Sequence, residues 1–280
     1  MTNEMLGGLS RSSSLWREIA PDVTLLQFTI VNACLVGNNA GWVLMDTGPV
    51  NSHEFILKVS EERFGKGSRP KAIVLTHGHF DHVGSVSKLA ELWDVPVYAH
   101  PLEMPYITGK KAYPLPESTA GRGTAAEMSP GSLQEGINLG YRAVTLPQDG
   151  KLPGMTGWKW LHTPGHTDGH ISFFREIDQT LIAGDAFTTI KQESLTSVLA
   201  RSEHTEGPPA YFMTDWTAAG RSISLLRNLK PQLAIPSHGQ PVRGDRLARH
   251  LEMLVLYFEG IAAPEHSRSS SIFFNSNPPR

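Results

Sequence analysis

The stretch from Thr76 to His82 holds three histidines and one aspartate within seven residues. The apolar run 71–76 predicts a buried strand before it, and a helix is expected to start at Val83. The cluster therefore falls at the carboxyl end of a strand, where α/β proteins place their functional sites. Imidazoles and a carboxylate need partners when they are buried, and a metal ion is the simplest partner. The alternative is a polar loop that is rich in histidine by chance.

Three further candidate ligands follow apolar, strand-like runs later in the chain: His166, Asp185 and His238. A glycine adjoins each of them, which gives the backbone room to turn. The complete set of candidate ligands is His77, His79, Asp81, His82, His166, Asp185 and His238. Imidazole and carboxylate ligands in this number suit two divalent ions, with Zn²⁺ favoured and Mn²⁺, Fe or Co tolerated.

Two parts of the chain share one pattern, and this pattern predicts the architecture. In each part a strand ends at an aspartate, a helix follows, and a second strand ends at His-Gly, with Asp46 and His77 in the first part and Asp185 and His238 in the second. Two such halves packed sheet against sheet bring all four loops to one edge. We therefore expect an α/β fold, a four-layer αββα sandwich of two mixed β-sheets flanked by helices. Chance similarity between short apolar strands is the alternative.

Composition along the chain predicts a single metal-binding domain at 21–263, between an N-terminal extension at 1–20 and a C-terminal tail at 264–280. The extension is rich in Gly and Ser, and the tail is rich in Ser, Asn and Pro. Residues at about 101–153 contain few clear elements, which is typical of a lid-like insertion over a site. An insertion that only covers a sheet edge is the alternative.

The overall composition excludes several classes of partner. The formal charge is −2 over 280 residues, and no Lys/Arg run supplies the basic field that nucleic acid requires. The N-terminus lacks the apolar core of a signal peptide, and no apolar stretch has the length of a membrane span. The single cysteine, Cys34, fits a reducing compartment. We expect a cytoplasmic protein that acts on a small-molecule substrate and binds neither nucleic acid nor membrane, with the choice between monomer and homodimer left open.

The chain resembles the metallo-β-lactamase-fold hydrolases, a superfamily that includes glyoxalase II-like and lactonase-like enzymes. The resemblance runs from about Val23 to Gly239 and rests on His-x-His-x-Asp-His followed by Gly-His, Asp and His in this order. It implies that the first metal is held by His77, His79 and His166. It implies that the second is held by Asp81, His82 and His238, with Asp185 bridging the two ions. Asp46 would orient a ligand histidine.

The expected reaction is hydrolysis by a hydroxide held between the two ions. Metal binding lowers the pKa of water towards about 7, so this hydroxide is a strong nucleophile at neutral pH. It is expected to attack the acyl carbon, while one ion stabilises the charge that develops on the carbonyl oxygen. Asp81 is the expected catalytic residue, which orients the hydroxide and passes a proton to the leaving group.

Other polar residues near the motifs are candidates for contact with substrate or for support of the ligands. Besides Asp46 they are His170, Thr188, Lys191 and Tyr211. His170 follows His166 by four residues and is expected to support the site, because the ligand count is already full. For Lys191 the alternative is a solvated surface side chain, and for Tyr211 it is ordinary packing.

The sequence differs from four well-known groups of enzymes with this fold. These differences narrow the expected substrate class but exclude none of the four groups outright. The export signal of secreted β-lactamases is not seen, and Thr188 stands where lactonases usually carry a tyrosine. Only 42 residues follow His238 (280 − 238), which is short for the glutathione-binding region of glutathione-thioester hydrolases. The basic arm of the tRNA-processing nucleases is also not seen. The expected substrate is a small ester, thioester, lactone or amide with some apolar character.

Two other classes of function stay open at this level. Sulfur dioxygenases resemble the same fold, use one iron at the first site and would not need His238. A non-catalytic binding module is the third interpretation, and the complete ligand set argues against it.

Overall fold

The computed structural model describes residues 14–113, 137–189 and 213–261 of the chain. Within these residues two mixed β-sheets pack face to face, and helices cover the outer face of each sheet. The layers therefore run helix, sheet, sheet, helix. This arrangement confirms the expected αββα sandwich.

The first sheet has its strands in chain order, and all of them come from residues 15–145. They are β1 (Leu15–Ala20), β2 (Val23–Gln27), β3 (Asn32–Asn38), β4 (Gly41–Met45), β5 (Ile73–Val74), β6 (Val97–Ala99) and β7 (Ala143–Thr145). Strands β1 to β4 form an antiparallel meander, and β4 to β7 run parallel to one another. The parallel part carries the strand ends that lead into the histidine-rich stretch.

The second sheet is built from residues 151–243 alone. Its strands are β8 (Lys151–Leu152), β9 (Met155–His162), β10 (Ile171–Arg175), β11 (Thr180–Gly184), β12 (Leu233–Pro236) and β13 (Val242–Arg243). Their spatial order is β13-β12-β11-β10-β9-β8. Strands β11 and β12 are parallel, whereas the other neighbours in this sheet are antiparallel.

The described residues form six α-helices. They are α1 (His53–Phe64), α2 (Phe80–Val83), α3 (Val86–Trp93), α4 (Met104–Ile107), α5 (Trp216–Asn228) and α6 (Gly244–Ile261). Helix α5 is capped by Asp215, whose carboxylate accepts the Ala218 N–H at 2.9 Å. Helix α1 ends at Gly65, which has a φ of 96°. Within the described residues no helix has both the length and the apolar character needed to cross a lipid bilayer.

Consecutive side chains of the central strands enter different cores. Leu25 and Val43 face the second sheet, while Leu26 and Leu44 pack under the helices that cover the first sheet. Phe173 of β10 is fully buried in the layer between the sheets. Because side chains alternate along a strand, a strand that is covered on both faces reads as a continuous apolar run.

The two parts of the internal repeat have the same local architecture. Met45 of β4 lies opposite Val74 of β5, and Gly184 of β11 lies opposite Pro236 of β12, each in a parallel pair. In both pairs the first strand runs into an aspartate and the second into His-Gly. The carboxyl ends of parallel strands share one edge, so each sheet presents its polar residues towards the same end of the sandwich.

Some of the expected element boundaries are wrong. A helical turn begins at Phe80, before the expected start at Val83, because the carbonyl of His79 already accepts the Val83 N–H at 3.1 Å. The strand expected at 23–31 ends at Gln27, and the run 71–76 forms a strand only at 73–74. The earlier helix start matters, because it places the last two polar residues of the cluster on a helix.

The expected N-terminal extension and the expected lid-like insertion both contain regular secondary structure in their described residues. Residues 15–20, assigned to the N-terminal extension, form β1. The segment at about 101–153 contains α4, β7 and β8, and β7 completes the first sheet beside β6. Residues 1–13, 114–136 and 262–280 lie outside the described residues. The lid and the tail therefore stay predictions.

We expect Phe173→Ala to lower the free energy of unfolding by about 3–5 kcal/mol, because it leaves a cavity in the layer between the sheets. Ile177→Ala is the control, since Ile177 is 91% exposed and its truncation should change stability by less than about 0.5 kcal/mol. Urea unfolding followed by circular dichroism measures both changes. Equal losses for the two variants would contradict the placement of Phe173.

Candidate metal centre

Four loops at the carboxyl ends of strands bring the seven candidate ligands together. The loops follow β5, β9, β11 and β12, so both sheets contribute. These residues are all buried, with exposed fractions between 0% and 6%. They are His77, His79, Asp81, His82, His166, Asp185 and His238. A cluster of this kind is a functional-site candidate on physical grounds, because burying polar groups costs free energy unless they have partners.

Three histidines, here called the first trio, point their ring nitrogens at one another. They are His77, His79 and His166. Nε2 of His77 lies 2.9 Å from Nδ1 of His79, which lies 2.9 Å from Nε2 of His166. The backbone at His79 is extended, so its side chain and that of His77 leave the chain on the same side. Nitrogen ligands of a tetrahedral zinc ion are separated by roughly 3.3 Å, so this spacing is close to that of a zinc site.

A second group, here called the second trio, lies beside the first. It consists of Asp81, His82 and His238. The two imidazole Nε2 atoms lie 3.8 Å and 3.6 Å from the oxygens of Asp81. Asp185 stands between the trios, because its Oδ2 is 3.2 Å from Nε2 of both His166 and His238. It is therefore placed where a bridging ligand would lie.

Burial controls the protonation of the first trio. It lowers the pKa of His77 and of His79 well below the ordinary value, and neighbouring histidines lower both further. Burial also lowers the pKa of His166 to about 3. The three imidazoles are therefore neutral at physiological pH, which is the form that binds a metal ion.

Carboxylates raise the pKa values of the two histidines in the second trio. Burial alone would lower the pKa of His82, but Asp81, Asp185 and Asp46 together raise it to about 10. Burial also opposes the shift at His238, yet Asp185 and then Asp81 raise its pKa. The cluster therefore attracts positive charge, and divalent ions can supply that charge in place of protons on the imidazoles.

The residues present fit two metal ions. Two buried atoms, Nε2 of His82 and Oδ1 of Asp185, face each other at 3.5 Å and make no hydrogen bond. Unsatisfied buried atoms are uncommon in folded proteins and call for an explanation such as an ion. The ligand atoms fall into three groups whose members lie within 4.8 Å of one another: the first trio, the second trio, and His77 with His82 and Asp185. Nitrogen and carboxylate ligands suit zinc and are accepted by iron or manganese.

Asp46 occupies the position expected of a residue that orients a ligand. Its Oδ2 lies 2.9 Å from Nδ1 of His82, which leaves Nε2 of that ring to face the cluster. Its two oxygens also accept hydrogen bonds from the backbone N–H and the hydroxyl of Thr76, at 2.8 Å and 2.7 Å. A carboxylate that holds a histidine in this way fixes the ring and its tautomer.

His170 supports Asp185 instead of adding a ligand. Its Nε2 accepts the backbone N–H of Asp185 at 2.8 Å, and its Nδ1 lies 2.9 Å from the carbonyl oxygen of Thr163. Burial lowers the pKa of His170 to about 4, so the ring is neutral and can both donate and accept. The far ring nitrogen of His238 is held in the same manner, 2.6 Å from the carbonyl oxygen of Ile30.

Two polar residues that sequence reasoning did not identify also support the ligands. The hydroxyl of Thr76 lies 3.0 Å from Nδ1 of His77 and joins this ring to Asp46. Glu103 is fully buried and bonds to the backbone of Gly78, between the first two histidines. Thr76 could have been found from its place at the end of a strand, whereas no spacing marks Glu103.

The remaining candidates for substrate contact divide into two kinds. Thr188 is buried three residues after Asp185, in the segment that follows β11. Lys191 and Tyr211 lie outside the described residues. A contact between any of these side chains and a substrate stays a prediction.

Comparisons with known proteins agree with this geometry. The family described as the Metallo-beta-lactamase superfamily matches residues 26–238. The chain is 43% identical over 213 residues to the probable metallo-hydrolase YflN of Bacillus subtilis (strain 168), covering 76% of this chain and 81% of the relative. It is 31% identical over 209 residues to the probable metallo-hydrolase YybB of the same strain, covering 72% and 80%.

A solved structure points in the same direction. The di-iron-bound form of TTHA1623 is 29% identical, has a TM-score of 0.52, and is matched over 76% of this chain and 89% of that chain. The family match on this chain spans more than half of its residues and includes both trios. The chain therefore belongs to the metallo-beta-lactamase superfamily.

Proposed function

We propose that this protein is a dinuclear metal-dependent hydrolase that cleaves a small-molecule ester, thioester, lactone or amide. The observation that carries the proposal is the pair of trios with Asp185 between them, its Oδ2 3.2 Å from His166 in one trio and from His238 in the other. A single ion would need only one trio. The presence of both therefore favours two ions over the mononuclear iron oxygenase considered above.

The residues of the two trios and Asp185 would hold the metal ions that the reaction requires. The first trio would hold one ion and the second trio the other, most simply zinc, and Asp185 would bridge them. When bound, two such ions supply Lewis acidity and a water molecule of lowered pKa. The di-iron form of a 29% identical structure keeps iron among the candidate metals.

Asp81 is the residue that we assign to proton transfer. Asp81 is 5% exposed, and in the metal-free protein burial raises the pKa of its carboxyl group above the ordinary value. A carboxylate placed beside the metal ligands can accept a proton from the attacking water and return it to a leaving group. Its oxygens lie within 4 Å of His82 and His238, so Asp81 is close to the position where the attacking water would be held.

An acyl substrate with an apolar portion fits the surroundings of the first trio. The ring of Tyr113 stacks on Tyr106 with centroids 3.9 Å apart and lies 4.5 Å from the ring of His79. Hydroxyacylglutathione hydrolase of Xylella fastidiosa (strain M23) is 30% identical over 130 residues, covering 46% of this chain and 37% of that enzyme. This partial likeness supports keeping thioesters in the substrate class.

We expect Asp185→Asn and His238→Ala each to lower kcat/KM at least about a hundredfold, because loss of residues that only support a metal ligand already costs 10–100-fold. Assays use ester, thioester, lactone and amide substrates, with metal content measured on the same samples. His53→Ala is the control, since His53 begins α1 outside both trios. Full activity of either site variant, or one iron per chain with no turnover of the panel, would contradict the proposal.

Removal of the metal is expected to destabilise the fold. Ions that bind only the folded state stabilise it by about 2.7 kcal/mol when their free concentration is about 100 times Kd. A chelator should therefore lower Tm, and added Zn²⁺ should restore it. Asp185→Asn, which lacks the central carboxylate, should show a smaller chelator-induced change. A Tm that stays constant while metal analysis shows complete removal would sink this expectation.

A further inference from the structure

Glu103 is a fully buried carboxylate next to the first trio. It lies in the short 3-10 turn Pro101–Glu103 that follows β6, and its side chain reaches towards the two loops that carry the trio. Such a charge is stable in the interior only when hydrogen bonds replace its lost hydration. Its partners therefore show what this residue does in the fold.

The two oxygens of Glu103 serve different loops. Oε1 accepts the hydroxyl of Thr167 at 2.6 Å and the backbone N–H of Gly169 at 3.1 Å, both in the loop of His166. Oε2 accepts the N–H of Gly78 at 3.0 Å and the hydroxyl of Tyr113. Gly78 separates the other two histidines of the trio. One carboxylate therefore ties together the backbones that carry all three imidazoles, across the junction of the two sheets.

Two glycines make this approach sterically feasible. A Cβ atom on Gly169 would lie 2.7 Å from Cγ of Glu103 and 2.9 Å from its backbone nitrogen. A Cβ atom on Gly78 would lie 2.6 Å from the hydroxyl oxygen of Tyr113. Distances below 3 Å are not tolerated between such atoms, so both motif glycines leave space for the Glu103 network.

We propose that Glu103 is a positioning residue that sets the metal affinity of the first trio. It acts through the backbones of Gly78 and of 167–169 and touches none of the reacting atoms. The inference rests on the proposed metal-dependent function, which it deepens by assigning a residue to one ion only. The second trio is held by other contacts, at Asp46 and Ile30.

Glu103→Gln tests the proposal with almost no change in volume. The carboxylate accepts four hydrogen bonds, two from hydroxyls and two from backbone N–H groups. The hydroxyls of Thr167 and Tyr113 can turn and accept from an amide, but a backbone N–H cannot. If the amide nitrogen takes the place of Oε1, the Gly169 N–H loses its acceptor and its loop is released. If it takes the place of Oε2, the Gly78 N–H keeps only the hydroxyl oxygen of Tyr113, 2.9 Å away, and its loop is held more weakly.

Titration of the metal-free protein with Co²⁺, followed by visible absorption, resolves the two binding steps. His166→Ala identifies the step that belongs to the first trio, because it removes one of its ligands. We expect Glu103→Gln to weaken that step 10–100-fold and to leave the other within about threefold, the range typical of residues that support a ligand. The absorption bands of that step should also shift, because the imidazoles are reoriented.

Three further variants separate this role from general stability. Tyr113→Phe removes one donor to Glu103 and one of the two acceptors of the Gly78 N–H, but it leaves both carboxylate oxygens in place, so it should weaken the step less than Glu103→Gln does. Thr167→Val keeps the shape of residue 167 and the charge of Glu103, and it should weaken the same step by a smaller factor than Glu103→Gln does. This variant provides the test if Glu103→Gln does not fold. Asp178→Asn breaks an ion pair with Arg175 at the far end of β10, so it should lower Tm without changing either step.

The outcomes also separate this inference from the proposed function. Unchanged Co²⁺ steps in Glu103→Gln and Thr167→Val, or equal weakening of both steps, would overturn the role of Glu103 even if the parent enzyme hydrolyses the substrate panel. If Tyr113→Phe weakened the first-trio step as much as Glu103→Gln does, the carboxylate of Glu103 would not be the main group that positions the trio. Selective weakening of the first-trio step in a protein that hydrolyses nothing would support the inference and refute the hydrolase.

Discussion

Asp185 shares its carboxylate among imidazoles of both trios, 3.2 Å from His166 and His238 and 3.5 Å from His82. Charges of this density are unstable in a protein interior unless opposite charge is held nearby and every ligand is fixed. The rest of the structure meets that requirement. His170 fixes the backbone of Asp185, and the ends of three other strands deliver the other ligands from rigid elements. A site on strand ends is more precisely held than one on long loops.

The two sheets are joined at this site by polar contacts as well as by the apolar layer between them. The side chain of Asn32 donates to the carbonyl oxygens of Pro236 and Gly239, both at 2.9 Å, and its N–H donates to the carbonyl of Ser237. On the other side, the N–H of Ile171 donates to the carbonyl of Thr76. Backbone contacts from one sheet thus fix the ligand-bearing loops of the other, so the packing of the sandwich and the geometry of the site depend on each other.

Much of this arrangement could be predicted from the sequence, because the decisive signals are local. Helix α3 buries four apolar residues that recur at helical spacing, Val86, Leu89, Ala90 and Trp93. Glycines adjoin the ligands at the ends of apolar runs. Support from distant residues could not be predicted. Glu103 meets Gly169 across 66 positions and Asn32 meets Pro236 across 204, and no periodicity records such contacts. The short strand β7 could not be predicted either, because pairing with its neighbour β6, and not propensity, makes it a strand.

The division of the chain between the two sheets determines which residues can complete each trio. In the described residues, all strands up to residue 145 belong to the first sheet, and all strands from residue 151 belong to the second. The first segment carries four of the seven ligands, and the second carries His166, Asp185 and His238. Each trio draws members from both segments, so neither segment can complete a site alone. Metal bound by both trios would therefore report that the two sheets have packed against each other correctly.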